Sequence, residues 1–132
     1  MLPNGLTPRL LQLSWADHGK NVHLTAERPA LPLLEATQGD FAFQVNDWSM
    51  AGDGKKYSMS FNTGEYSAGL QAVSEKPAVL HQGKGLVELG RAGASYYYSR
   101  TRLKMSGTLN IGHEQRQVSG MAWMDHQWGD FS

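Results

Sequence analysis

The chain has 132 residues, twelve basic and twelve acidic side chains, no cysteine and a hydrophobic content of 40%. This length suits one small domain, and the balanced, dispersed charge argues against nucleic acid or an anionic membrane surface as partner. The lack of cysteine excludes disulfides, thiolate zinc sites and cysteine nucleophiles. The sequence contains no run of about 18 apolar residues, so we expect no membrane span.

The first fifteen residues, MLPNGLTPRLLQLSW, lack the basic segment and apolar core of a secretory signal peptide. The absence of cysteine does not fix the compartment, because exported bacterial proteins also lack it. We therefore leave the localisation open, with a periplasmic or secreted location in a longer parent protein as one alternative.

Alternation of apolar and polar residues with a period of two runs through most of the chain. This pattern predicts strands with one buried and one solvent-facing side. In chain order the clearest segments are NVHLTA (21–26), FAFQVNDW (41–48), KYSMSF (56–61) and RLKMSGTLN (102–110). Four further strands are predicted in EYSAGLQAV (65–73), GLVEL (85–89), SYYYSR (95–100) and QVSGMAWM (117–124).

Turn residues separate these segments. Glycine-containing hairpin turns are predicted in AGDGK (51–55) and NIGHEQRQ (110–117), and Pro77 marks a longer connection. One short helical turn is predicted within ALPLLEATQGD (30–40). The N-terminal region up to His18 is predicted to be weakly structured.

Eight or nine short strands with hairpin turns predict an all-β fold, either an antiparallel sandwich or an up-and-down barrel. An eight-stranded barrel can hold one small apolar ligand. The large side chains expected in such an interior are Phe41, Phe43, Tyr57, Phe61 and Met105.

Three stretches together resemble one family. They are KPAVLHQGKG (76–85), ASYYYSRTRLKMSGTL (94–109) and VSGMAWMDHQWGDF (118–131), and the earlier FQVNDWSM (43–50) is similar to an upstream strand of the same family. In this order and spacing they resemble the AttH-like and carotenoid 1,2-hydratase (hydroxyneurosporene synthase) family. The resemblance implies a lipocalin-like fold.

The resemblance also implies tandem lipocalin-like domains. We therefore expect residues 1–132 to form a single β domain that is most of the first half of a longer protein, with a barrel that does not close. An unclosed barrel leaves a sheet edge and an apolar patch near Trp123 and Trp128. We expect this surface to be covered in a homo-oligomer or by a second barrel domain, which light scattering on the chain would test.

Asp125 is the first candidate catalytic residue. Hydration of an isolated C=C bond needs a strong proton donor, and a carboxyl group kept neutral by burial is one. Trp123 and Asp125 are two positions apart, so in an unbroken strand they share a face, and a buried Trp123 predicts a buried Asp125. The alternative is structural, with Asp125 in a turn and Trp123 in the core.

His126 is the second candidate catalytic residue, as a base or hydrogen-bond relay. A metal site shared with Asp125 is not expected, because adjacent strand residues point to opposite faces. The spacing from Asp125 to Asp130 also matches no zinc or calcium template. We expect no metal and no cofactor.

Four aromatic residues are candidates for ligand binding, because ring faces stabilise a cation and aromatic side chains line apolar sites. They are Tyr96, Tyr98, Trp123 and Trp128. In the run SYYYSR, Tyr96 and Tyr98 are expected on one face and Tyr97 on the other. The alternative for the tyrosines is cross-strand packing at a barrel rim.

Two functions of different class remain. The first is a hydratase-like (hydro-lyase) or isomerase-like domain that acts on a C=C bond of an apolar terpenoid or polyketide-like molecule, with Asp125 as general acid. The second is a non-catalytic lipocalin-like binding or structural domain of an exported protein. The fold does not decide between them. Burial of Asp125 toward an aromatic-walled cavity would favour the enzyme.

Overall fold

The computed structural model describes residues 9–30 and 41–131. Its strands are β1 Arg9–Asp17, β2 Val22–Ala30, β3 Phe41–Val45, β4 Trp48–Gly52, β5 Lys56–Asn62, β6 Tyr66–Ser74, β7 Val79–Leu80, β8 Leu86–Glu88, β9 Gly93–Ile111 and β10 Glu114–Phe131. Two single 3₁₀ turns occur, at His81–Gly83 and Gly90–Ala92. The predicted helical turn in 30–40 lies, except for its first residue, outside the described residues.

All pairings between the described strands are antiparallel. One sheet runs in the order β10-β9-β6-β5-β4-β3, and β7 and β8 pair with the first part of β9. The β1–β2 hairpin is a separate two-stranded sheet. The all-β antiparallel prediction is therefore confirmed, and within the described residues the sheets do not close into a barrel.

Two hydrophobic clusters lie on one side of the large sheet, which we call the inner face. The first contains Trp48, Phe61 and Ala68, and side chains of the β1–β2 hairpin pack against it. The second contains Tyr57, Ala72 and Leu103, with Ala122 and Met124 of β10 packed alongside, among other side chains. The hairpin thus covers one end of the inner face in a sandwich-like arrangement.

Strand β1 is the main departure from the sequence prediction, which left this region weakly structured. Leu11, Leu13 and Trp15 alternate with more exposed residues and pack against the first cluster. This burial offsets the loss of chain entropy that leaves most termini unstructured. Among the described residues, no helix is long and apolar enough to cross a bilayer.

The predicted strand 41–48 is instead a hairpin. Strands β3 and β4 pair across a turn at Asn46 and Asp47, where Asn46 has a φ of 55°, in the left-handed region that asparagine tolerates. Val45 and Trp48 face each other and are buried, whereas Phe43 is exposed on this edge hairpin, contrary to the prediction. Tyr57 and Phe61 are buried as predicted.

Strands β9 and β10 form a long ribbon of 19 and 18 residues. Its register is interrupted once: Arg100 faces Met124 and Leu103 faces Ala122, so Thr101 and Arg102 lie opposite Trp123. Two residues against one is a β-bulge. Because of it, Tyr98 and Leu103 lie on the same face although they are five positions apart.

Candidate functional site

Four predicted residues come together on the inner face of the β9–β10 ribbon. Tyr98 faces His126 and Tyr96 faces Trp128 across the two strands. The rings of Tyr96 and Trp128 are stacked with centroids 5.5 Å apart, and those of His126 and Trp128 are 4.5 Å apart. The Tyr98 hydroxyl lies 3.2 Å from His126 Nδ1. We call Tyr96, Tyr98, His126 and Trp128 the aromatic–imidazole cluster.

Two residues connect this cluster to the interior of the sheet. Arg100 Nε donates a hydrogen bond of 3.1 Å to the Tyr57 hydroxyl. The Arg100 guanidinium also lies 5.7 Å from the centroid of the Tyr98 ring, within the range of a cation–π contact. Arg100 therefore connects Tyr98 of the cluster to the hydroxyl of Tyr57.

Tyr57 also lines an apolar recess on the inner face, with a cavity volume of about 90 Å³. Four of the six methionines of the chain contribute to it: Met50, Met59, Met105 and Met124. Thioether side chains are flexible and polarisable and adapt to irregular apolar shapes. The aromatic–imidazole cluster thus stands beside an adaptable apolar space.

Burial determines the protonation of the cluster. It lowers the pKa of His126 below its ordinary value of 6.5, because an imidazolium is poorly solvated there. Burial also raises the pKa of Tyr98 above 10.0, and the neighbouring Tyr57 raises it further. Near neutral pH the pair is therefore a neutral imidazole beside a neutral phenol. In chemical terms it can accept and return a proton.

Asp125 does not fit the predicted role of a buried, neutral acid. Its side chain is exposed on the outer face, the side of the sheet opposite the hydrophobic clusters. Hydrogen bonds from Ser99 and then Trp123 hold the pKa of Asp125 below 3.8. Trp123 Nε1 donates a hydrogen bond of 3.0 Å to Asp125 Oδ1, but Trp123 is 63% exposed and not buried. Trp123 and Asp125 do share a face of the sheet, but it is the outer face.

The carboxylate of Asp125 ends a chain of three side chains that we call the outer clamp: His81, Ser99 and Asp125. The Ser99 hydroxyl donates to Asp125 Oδ1, and His81 Nε2 lies 2.8 Å from the same hydroxyl. Because the one Ser99 hydrogen points to Asp125, His81 Nε2 must carry a hydrogen and donate it to Ser99. The His81 ring also stacks on Tyr97 with centroids 3.7 Å apart.

His81 and Ser99 were not among the site residues predicted from the sequence. One signal was available, since each of the three family-like stretches contributes one member of the outer clamp. Stretch 76–85 supplies His81, stretch 94–109 supplies Ser99 and stretch 118–131 supplies Asp125. The side chain of Asp130 lies outside the described part of the structure. Across that part, no group of three or more histidine and acidic side chains is placed to hold a metal ion.

Acid titration of Asp125 should be visible in the fluorescence of Trp123. Protonation weakens the acceptor of the indole N–H, so we expect a change in tryptophan emission with a midpoint below pH 3.8. The lowered pKa implies a stabilising contribution that is present above pH 3.8 and lost as the pH falls through the pKa of the folded state. The variant Trp123→Phe should lack this transition, and a midpoint at or above 3.8 would contradict the assigned hydrogen bonds.

The fold defined by these strands is shared with two solved structures. A crystal structure described as an AttH from Nitrosomonas europaea superposes with a TM-score of 0.83 at 21% identity, over 95% of this chain and 41% of that one. Kievitone hydratase from Nectria haematococca superposes with a TM-score of 0.76 at 16% identity, over 93% of this chain and 39% of that one. At these identities the similarity establishes the fold.

The family follows from the sequence itself. Residues 10–132 match the AttH-like family model, and the chain belongs to the AttH-like family. No curated protein sequence matches it significantly. The chain spans about two fifths of the length of the two solved structures. The resemblance stated from the three stretches is thereby confirmed.

Proposed function

We propose that this chain supplies one wall of an active site that hydrates or isomerises a C=C bond in an apolar small molecule. The observation that carries the proposal is a neutral imidazole, His126, hydrogen-bonded to the Tyr98 hydroxyl and standing beside an apolar recess. Membership of the AttH-like family and the fold shared with a hydratase support the same reaction class. The acid–base role passes from Asp125 to His126.

The apolar part of the substrate occupies the methionine-lined recess. The described residues that line it include no aspartate, glutamate, lysine, arginine or histidine, so a bound hydrocarbon leaves no charge of theirs unpaired. Flexible methionines suit a branched or unsaturated chain of terpenoid or polyketide-like type. The double bond then lies where the recess meets Tyr57 and Tyr98.

His126 moves one proton in either reaction. In hydration of a conjugated C=C bond, the imidazole takes a proton from water as the new C–O bond forms and returns it to the neighbouring carbon, so that one water is added in total. In isomerisation, it takes the proton from one carbon and returns it to another. The Tyr98 hydroxyl orients the imidazole, and the Trp128 ring, 4.5 Å from it, stabilises the imidazolium that forms while His126 holds the proton.

The cluster is open on one side, since Tyr96 is 53% and Trp128 45% exposed. Strand β10 pairs with no described strand other than β9. Both features support the proposal that a second copy of the chain or a second β domain covers this wall. Such a cover would exclude water from the site and enclose the substrate.

The second candidate function is ligand binding without chemistry. It is favoured by the recess itself, whose sole titratable lining residue is Tyr57 among the residues that the structure describes. In this reading the aromatic–imidazole cluster is a rim that closes over the ligand. A lipocalin-like binding or structural domain then replaces the enzyme.

Incubation in heavy-oxygen water tests both functions. The protein is mixed with terpenoid and conjugated aromatic alkenes, and mass spectrometry measures incorporation of labelled water. A parallel reaction in deuterium oxide detects isomerisation through exchange of carbon-bound hydrogen. Labelled product is expected. Quenching of tryptophan fluorescence by an alkene without any label uptake would instead establish the binding domain.

A further inference from the structure

We propose that the outer clamp is a positioning device for the Tyr98–His126 pair on the opposite face of the same ribbon. This inference rests on the proposed function only for its catalytic meaning, because the geometry of the pair can be measured without a substrate. His81, Ser99 and Asp125 are accordingly positioning residues and not catalytic ones.

The Ser99–Asp125 pair of the clamp and the Tyr98–His126 pair are neighbouring cross-strand pairs of β9 and β10. Ser99 faces Asp125, and the next pair is Tyr98, which precedes Ser99 in β9, with His126, which follows Asp125 in β10. Successive strand residues point to opposite faces. The Ser99–Asp125 contact therefore fixes the separation and register of the two backbones from behind, at the point from which Tyr98 and His126 project inward.

The place of the clamp in the ribbon makes this support necessary. Among the described strands, β10 lies at the edge of the sheet and pairs only with β9. The β-bulge at Thr101 and Arg102 interrupts the ladder within three residues of Ser99, and a bulge leaves a residue unpaired. The clamp lies between this irregularity and the aromatic–imidazole cluster.

Ser99 itself is built for attachment and not for reaction. Its side chain is 1% exposed, it accepts a hydrogen bond from His81, and its own hydrogen goes to Asp125. In a serine-hydrolase triad the histidine lies between the serine and the carboxylate. Here the serine is in the middle, so no base is placed to remove its proton toward a substrate.

His81 adds a third segment to the clamp. The turn that carries it is anchored by two main-chain hydrogen bonds, Gly85 N–H to His81 O at 2.8 Å and Tyr97 N–H to Gly85 O at 2.7 Å. The His81 ring stacks on Tyr97, the outward neighbour of Tyr98. Residues from three distant parts of the chain thus hold the backbone on which Tyr98 and His126 sit.

The test is an NMR titration of the His126 ring in the substrate-free chain. Burial holds the pKa of His126 below 6.5. In Ser99→Ala the ribbon should loosen and the ring should hydrate, so we expect the titration midpoint to rise toward its ordinary value and the nuclear Overhauser contacts between Tyr98 and His126 to weaken. If Ser99→Ala does not fold, Asp125→Ala removes the same contact from its exposed end.

The matched control is Gln117→Ala. Gln117 Nε2 donates a hydrogen bond of 2.9 Å to Thr108 Oγ1. This bond also joins the side chains of facing residues in β9 and β10, but it lies far from the cluster. This variant should leave the titration of His126 unchanged. A folded Ser99→Ala or Asp125→Ala protein in which His126 titrates and contacts Tyr98 as in the wild type would overturn the inference. That result would leave the proposed function untouched, and a failed labelling experiment would equally leave the positioning role intact.

Discussion

Replacement of His126 by phenylalanine is expected to lower the turnover of labelled product by about 100-fold or more, the usual contribution of a general acid–base group. Phenylalanine keeps an aromatic ring beside Tyr98 and Trp128 but has no nitrogen to carry a proton. Binding of the apolar ligand, measured by tryptophan quenching, should persist. Steady-state kinetics should therefore show the loss in kcat.

The pH dependence of the wild type gives an independent check on His126. Because the imidazole must be neutral to accept a proton, activity should fall as the pH drops through the lowered pKa of His126, below 6.5. His113→Phe is the matched control, since His113 lies exposed in the β9–β10 turn. Equal turnover by His126→Phe and His113→Phe would remove His126 from the mechanism.

Replacement of Gly107 by alanine is expected to destabilise the fold by about 3 kcal/mol, the upper range for forcing extra volume into a packed site. A Cβ on Gly107 would collide with the Gly69 carbonyl oxygen and would lie 2.9 Å from Leu70 Cα. Both obstacles are main chain, so no side-chain rotation relieves them. Urea unfolding at equilibrium measures the effect as a lower midpoint.

Gly69 is the matched control, because it lies in the neighbouring strand at the same crossing of β6 and β9. A Cβ added there meets nothing within 4 Å. Gly69→Ala should be neutral or stabilise by about 0.5 kcal/mol, since alanine loses less backbone entropy on folding than glycine. If both alanines had the same effect on the unfolding midpoint, the close approach of β6 and β9 at Gly107 would be wrong.

Much of the fold was predictable, because alternation is a local property. The strands containing Val22, Tyr57 and Leu103 were found from their period of two, and the turn after Ile111 from its glycine. The β1 strand has the same alternation but was assigned to a fraying terminus. Its stability depends on packing against Trp48 and Phe61, which are distant in the sequence.

The site was predictable in its members and not in its arrangement. Alternation correctly separated Tyr97 from Tyr96 and Tyr98, and Asp125 from His126. It does not say which face is inner. The Asp125 face proved to be the outer one, so the carboxylate is ionised and a neutral imidazole occupies the inner position.

Sequence alternation alone would also have placed Tyr97 and Ser99 on the same face as Leu103, since all three are odd-numbered. The β-bulge opposite Trp123 reverses this relation. A bulge depends on how two strands meet, and no residue pattern within 95–105 announces it. The partners of Ser99 were hidden for a similar reason, because His81 and Asp125 lie 18 and 26 positions away.

The bulge also separates two kinds of sequence change. Loss of one residue at Thr101 or Arg102 would leave a one-to-one ladder in which Ser99 still faces Asp125 and Tyr98 still faces His126. Loss of one residue within 93–98 would instead shift the register by one and move the side chains before it to the opposite face, with every side chain chemically unchanged. The bulge is therefore a position where the length of β9 can vary without moving the site. Related chains that keep the site should differ in residue number at the bulge and not between Tyr96 and Ser99.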